Sequence, residues 1–470
     1  MVDKDLTPSR LRRTAPTGSP RSPATGSRHT LTIGSSLALL AGFLAVHGWL
    51  TVLGTRIKPE TFNDIDLYRW WVANGFAAHS WPVFDFPWVY PAGAIAPMMA
   101  AGAEGTSATT TYEVAWCALV MALDAVAILI LVRHGRVRGA WWWLGFQTLL
   151  GPVAIGRLEG ITAPMMVIAL SLALERPRFS AALLTAGAWI KIAPGALLIA
   201  LAAAVRRPVR DVIVPAAVTC AVVVGAVVAG GGAANLLSFL KVQGNRGLQV
   251  ESVAATPWVL AASSRHDVAI TYNTGINTFE VTGPGTVPVN AALDSMLLIG
   301  LVVLAALIWR ARHRGSHALL ASALATSTLL IVLNKVGSPQ FISWLAPPVA
   351  VALCRVADDV APRPPRPPRE RWHSWPVIAT LVLVVAALTQ AVYPFGYNGV
   401  VGGELGMGLV LATRNLLLVV VLVMAVGAVV RAGDDPPEPV DALDGDDADV
   451  DDDVEDAHGA DTLLSRRAAE

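Results

Sequence analysis

The residues that could do chemistry in this chain are few, and most stand at the edges of long apolar runs. The stretch Asn63-Asp64-Ile65-Asp66-Leu67-Tyr68 places two carboxylates at i and i+2. On a helix these face different sides, but at a loop-to-helix boundary both can point into one cavity. A carboxylate there can serve as general base on a hydroxyl, bind a cation, or simply cap the helix. Lys191 interrupts the apolar sequence Trp189-Ile190-Lys191-Ile192-Ala193-Pro194, where it reads either as a structural ion-pair partner or as a cation for an anionic headgroup or phosphate. Arg157, Glu159, Lys241, Arg246, Glu251 and Lys335 complete the set, together with Arg69. Charge at membrane depth is costly, so such residues line polar cavities or pair internally.

The elements that position them are membrane helices. Of 470 residues, 54% are hydrophobic and 15% charged, and the mean hydropathy is +0.55. A soluble domain cannot hide that much apolar surface. The zero net charge conceals a basic tail over residues 1–30 and an acidic tail over 432–470, both expected to be disordered, flanking a membrane domain at 31–431. Apolar runs near the ~20 residues needed to cross a bilayer occur at about 31–54, 112–133, 139–156, 160–175, 210–230, 290–309, 317–334, 338–356, 375–396 and 403–431. The first is too long for a signal peptide and lacks a clear cleavage site. Basic clusters at Arg133–Arg138, Arg176–Arg178, Arg206–Arg210, Arg310–Arg314 and Arg355–Arg371 mark the cytoplasmic side. If all lie on that side, 179–205 must begin and end there, as a hairpin of two short helices with Lys191 near its tip.

The resulting fold is an all-α polytopic membrane protein of about 12 transmembrane or half-spanning helices, with both termini cytoplasmic. Two larger extracytoplasmic loops run over roughly 55–111 and 231–289. The first should hold an amphipathic helix at Asp64–Gly75 with Trp70, Trp71 and Trp81 as interface anchors, and a re-entrant or interfacial stretch at Pro91–Ala103. Pro362–Arg371 reads as an extended linker. The three cysteines, Cys117, Cys220 and Cys354, sit singly in apolar runs and read as core residues. There is no Walker motif, no HExxH and no paired-cysteine site, which removes support for nucleotide, zinc and nucleic-acid chemistry. Of the nine histidines, His266 alone falls at a position worth watching, in the second loop.

The first-loop stretch Asn63-Asp64-Ile65-Asp66-Leu67-Tyr68, followed by Trp88-Val89-Tyr90-Pro91, resembles the first outer loop of C-superfold glycosyltransferases that use polyprenyl-phosphate sugars. Asn245-Arg246-Gly247-Leu248-Gln249-Val250-Glu251-Ser252 and Lys335-Val336-Gly337-Ser338-Pro339-Gln340 are similar to glycosyltransferase family 87, which includes α-1,2-mannosyltransferases. The resemblance covers roughly residues 31–430. It implies a plasma-membrane enzyme of cell-envelope glycolipid synthesis that takes a sugar, mannose by default, from a polyprenyl-phosphate donor to a lipid or glycan acceptor with inversion. It further implies Asp64 as base, four residues before Tyr68, with Asp66 as runner-up or acceptor contact. Lys191, Arg246 and Lys335 would hold the phosphate, Gln249, Glu251 and Gln340 the sugar hydroxyls, and Tyr90 the acceptor groove. No cofactor is demanded, and a divalent metal is compatible but not required. One departure stands out: comparable mannosyltransferases carry a histidine pair after the Ser-Pro, where this chain has Gln340-Phe341-Ile342-Ser343-Trp344. The rival readings are a transporter or flippase of a lipid-linked sugar, and a non-catalytic envelope scaffold.

Overall fold

A computed structural model describes residues 32–133, 137–244, 246–355 and 374–434. The two tails, Asn245 and the Pro362–Arg371 linker lie outside the described residues. Helix α1 (Ile33–Val52) continues through a wider turn to Ile57. A first connecting region then carries α2 (Asn63–Ala78) and the seven-residue α3 (Ile95–Ala101). Next come α4 (Thr109–Val132), α5 (Arg138–Leu150) and α6 (Glu159–Leu172). They are followed by α7 (Pro177–Ile190), α8 (Ala193–Ala204) and α9 (Val214–Ala229). A second connecting region holds α10 (Ser238–Gly244), α11 (Thr256–Ala261) and the antiparallel pair β1 (Ala269–Asn273) and β2 (Thr278–Thr282). The chain closes with α12 (Thr286–Arg310), α13 (Gly315–Val332), α14 (Ala346–Arg355), α15 (Trp375–Gln390), α16 (Tyr397–Val401) and α17 (Leu405–Asp434).

Among the described residues, seven helices are long and apolar enough to cross a membrane: α1, α4, α9 with its preceding turn, α12, α13, α15 with its following turn, and α17. The protein is therefore membrane-embedded. The shorter helices pack between the long ones. Almost every side chain of α6 is buried, and 78% of the apolar window of α13 is buried against 11% for α9. Burial rather than apolarity separates them: α6 and α13 touch protein on nearly all sides and form the centre, while α9 and α12, at least as apolar, lie at the rim where lipid can cover them.

Segment 179–205 is the expected hairpin. Helices α7 and α8 break at Lys191, whose backbone is extended (φ −151°, ψ 131°), and Pro194 stands in the first turn of α8 without an N–H to donate. A Cβ on Gly195 would stand 2.8 Å from that of Ala188, so the two limbs meet tightly at the tip. At the other end of the bundle, Arg133 and Arg355 both donate to the Ser171 carbonyl at the end of α6, and Arg178 pairs with Asp211. Cations at a helix C-terminus satisfy its orphan carbonyls.

The architecture is all-α and polytopic, as expected, with one small addition: the second connecting region forms a β-hairpin, because Ala-Ile-Thr-Tyr-Asn and Thr-Phe-Glu-Val-Thr combine β-branched and aromatic residues and Asn277 takes a left-handed turn conformation (φ 49°). One expectation is revised. Of the three proposed anchors on the amphipathic helix, only Trp70 is exposed. Trp71 turns inward against Trp88, Tyr90 and Tyr68, and Trp81 covers Gly75. The buried face of α2 is Ile65, Tyr68, Val72 and Gly75, a helical stripe that leaves Trp70 on the far side.

Without a hydrophobic drive between helices in lipid, close approach depends on small residues. Gly139 of α5 is such a position, since a Cβ there would lie 2.2 Å from the Ala350 carbonyl oxygen and 2.4 Å from Cys354 Sγ of α14. Gly139→Ala should therefore destabilise by about 1–3 kcal/mol through overpacking. Gly145→Ala on the same helix meets nothing within 4 Å and should be neutral or stabilising. Thermal midpoints of the two variants in one detergent check the contrast.

Candidate active site

The first and second connecting regions meet over the tip of the α7–α8 hairpin. Asp64, in the first turn of α2, stands there because the helix stripe that buries Ile65 and Tyr68 leaves Asp64 partly open, its side chain 30% exposed. Its carboxylate lies 3.2 Å from the buried guanidinium of Arg157, which is carried by the turn between α5 and α6. Two residues on, Glu159 begins α6 and lies 3.4 Å from the ammonium of Lys191. Lys191 in turn sits over the ring of Tyr90 at 4.9 Å and near that of Phe341 at 5.8 Å. Tyr68 and Tyr90 are in edge contact, with centroids 6.1 Å apart. Arg246 reaches the group from the second region, where its charge acts on Tyr90. Tyr393 closes the far side, its hydroxyl 3.4 Å from Arg157 and donating to the Glu60 carbonyl.

These groups define a chamber with two carboxylates, three cations and a set of phenols. Burial, then the charges of Tyr90 and Asp64, raise the Tyr68 phenol well above its ordinary value. Burial followed by Asp64 does the same to Tyr90. Both remain protonated and able to donate a hydrogen bond. Arg246 is pulled the other way by burial, opposed by Tyr90 and Glu280, and its Nε has no hydrogen-bond partner. Buried polar atoms are normally satisfied, so an unpartnered guanidinium nitrogen suits an anionic ligand. Among the described residues no three His, Cys, Asp or Glu side chains gather closely enough to hold a metal ion. A cavity of about 410 Å³ lies elsewhere, between Trp81, Phe84, Asp85, Ile95 and Met99.

Residues 88–334 match the sequence profile of glycosyltransferase family 87, more than half of the chain. The chain belongs to glycosyltransferase family 87. No curated protein and no solved structure matches it. The family membership makes it a membrane glycosyltransferase, and the matched stretch includes Tyr90, Arg157, Glu159, Lys191 and Arg246 but begins after Asp64.

Three residues picked from the glycosyltransferase pattern are held in ion pairs of their own. Asp66 points to the other side of α2, where its Oδ1 accepts from Arg69 Nε at 2.8 Å and from Thr109 at 3.2 Å. Lys335 donates to Asp294 of α12 at 2.8 Å. Glu251 is spent on Arg414, Oε2 to Nη1 at 3.1 Å, with both side chains at most 4% exposed. Each of the three has a charged partner in this geometry. Gln249 is buried with its Nε2 unpartnered, and its backbone N–H donates to the Lys335 carbonyl. Gln340 is half-buried and adjoins Phe341, which does reach Lys191. The segment Arg246–Ser252 is pinned from three sides. Glu280 accepts from the Gly247 N–H, β2 pairs with Leu248 and Val250, and Arg414 with Asn415 grips the Glu251 and Ser252 carbonyls.

Arg414 was invisible to a hydropathy reading because a single charge barely lowers the average of a 30-residue apolar helix. The same holds for Asp124 of α4, buried and bonded to His47 Nε2 at 2.9 Å, Trp143 at 3.0 Å and Gln147. An isolated charge in the middle of an otherwise apolar run is the signal that would have found both.

Removing Arg414 leaves a buried carboxylate uncompensated, so Arg414→Gln should cost about 3–5 kcal/mol. Burial raises the Glu251 carboxyl above its ordinary range, and Arg414 is what holds it down. A raised folded value means the folded protein binds this proton more tightly than the unfolded chain, so stability falls as pH rises through the titration. Arg414→Gln should enlarge that loss, being less damaging in acidic than in mildly alkaline buffer. The double variant Arg414→Gln/Glu251→Gln should abolish the added pH dependence. Chemical or thermal unfolding across pH measures both.

Proposed function

We propose that the chain transfers a sugar, mannose by the family resemblance, from a polyprenyl-phosphate donor to a lipid or glycan acceptor at the outer face of the plasma membrane. The product would belong to the cell-envelope glycolipids. The observation that carries this reading is the partly exposed Asp64, held by Arg157 in the same chamber as Lys191 and Arg246, which come from distant segments.

In this reading an acceptor hydroxyl enters the open side of Asp64. As its oxygen bonds to the anomeric carbon, its proton passes to the Asp64 carboxylate. The bond from the anomeric carbon to the phosphate oxygen breaks, and the electron pair leaves with the polyprenyl phosphate. Lys191 and Arg246 stabilise the charge growing on that phosphate. Arg157 fixes the orientation of the carboxylate. One displacement inverts the anomeric centre, so a β-linked donor gives an α-linked product. Protein cations supply the electrostatic stabilisation, and no metal is required. The topology that goes with this reading counts twelve full or partial spans, both termini cytoplasmic, and the chamber outside.

The helix break at Lys191 is also a feature of transporters, so a flippase of lipid-linked sugar is the alternative. Purified protein given radiolabelled polyprenyl-phosphate mannose and lipid acceptors decides between them. Wild type should transfer the label, and Asp64→Asn should lose on the order of 10²–10⁴ in rate. Full activity in Asp64→Asn removes Asp64 as base, and label crossing liposomes without transfer favours the flippase. In a background lacking the native cysteines, Glu60→Cys should react with an impermeant maleimide in intact cells, and Arg312→Cys only after permeabilisation.

A further inference from the structure

Glu159 is an acceptor without a donor. Its side chain is 1% exposed, yet neither carboxylate oxygen receives a hydrogen bond among the described residues. Lys191 stands near Oε1 at 3.4 Å as an ion-pair partner. Buried carboxylates normally accept several hydrogen bonds, because each oxygen offers two lone pairs. The neighbours add to the puzzle rather than resolve it. Tyr68 and Tyr90 feel the charge of Glu159, but neither hydroxyl bonds to it.

The chemistry of what would complete this group is narrow. An anion is repelled. A cation would compete with Lys191, which already neutralises the charge. Two adjacent hydroxyls, each donating to one oxygen, satisfy the carboxylate without changing its charge. We propose that Glu159 binds a vicinal diol on the ring of the donor sugar and is a specificity-determining residue of this glycosyltransferase. This rests on the reading of the chamber as a site for a polyprenyl-phosphate sugar.

The placement supports it. Lys191 is the shared neighbour of the diol acceptor and the phosphate site, and an ammonium with three N–H groups can serve both. A sugar held at one edge by Glu159 and at its anomeric phosphate by Lys191 lies beside Asp64, because Glu159 and Arg157 leave the same turn two residues apart. The bland alternative is that Glu159 is only a counter-ion for Lys191 and a favourable charge in the first turn of α6. The two readings differ in one respect: only diol binding makes the effect of Glu159 depend on particular hydroxyls.

The test uses full-length protein, the intact polyprenyl-phosphate hexose, and analogues each lacking one ring hydroxyl. A site built to bond a hydroxyl rejects the analogue lacking it by up to about 10⁴-fold. Wild type should discriminate strongly in kcat/KM against two analogues lacking neighbouring hydroxyls, and weakly against the others. Glu159→Gln should lose on the order of 10²-fold on the intact donor and little on those two analogues, collapsing the discrimination. Glu159→Asp, which keeps both acceptor oxygens, should retain the pattern at lower rate, showing that the variants fold. An equal loss in Glu159→Gln on every donor, or no preference in wild type between analogues, overturns the diol site while leaving the transferase reading intact. Wild type that transfers from no polyprenyl-phosphate sugar at all overturns the transferase reading and the diol site with it.

Discussion

A charge can live inside an apolar bundle only beside its opposite, and this structure is organised around that requirement. Three buried or half-buried ion pairs tie together segments far apart in the chain, Asp64 with Arg157, Glu159 with Lys191, and Glu251 with Arg414, and a buried hydrogen bond between His47 and Asp124 adds a fourth tie. Breaking one partner of such a pair costs far more than the pair itself contributes, because the survivor is stranded. Each pair therefore fixes the relative position of two elements that apolar packing alone would let slide. In lipid, where helices gain little from burying one another, that restraint carries more weight than it would in water.

The pairs fall into two kinds. Glu251 and Arg414 are buried and hydrogen-bonded to each other, and Arg414 also bonds the Glu251 carbonyl and Asn415. Asp64 is open to solvent on one side, and Glu159 has lone pairs unspent. The first kind holds the second connecting region in place, and with it Arg246. The second kind can exchange its partner for a substrate group. A site that must bind a charged lipid headgroup and later release it is served by ion pairs that are loose where the ligand enters and closed where the scaffold bears load.

Much of this architecture is legible in the sequence, and the exceptions share a cause. The long spans follow from hydropathy, and the α7–α8 hairpin follows from arginine clusters on both flanks of a proline-broken run. Asp64 and Lys191 draw notice as lone charges next to apolar sequence. What a linear reading misses is partnership. Asp66, Glu251 and Lys335 sit in the right segments, but the partners Arg69, Arg414 and Asp294 hold them in ion pairs that no linear reading reveals. Arg414 and Asp124 vanish into window averages. Arg157 and Glu159 stand out as charges, but their pairing with Asp64 and Lys191 exists only once the turn before α6 is folded. The β-hairpin was hidden because the surrounding chain reads as membrane helices, and ten residues of alternating pattern carry little weight beside them.

The grip of Arg414 and Asn415 on the second connecting region has a consequence for biosynthesis. These two residues sit on α17, while the loop they clamp is made more than 150 residues earlier. A nascent chain that has already inserted α1 through α14 still lacks the part that locks Arg246 in position. The clamp on Arg246 is thus a late event of synthesis: until α17 has emerged, the second connecting region is made but not held.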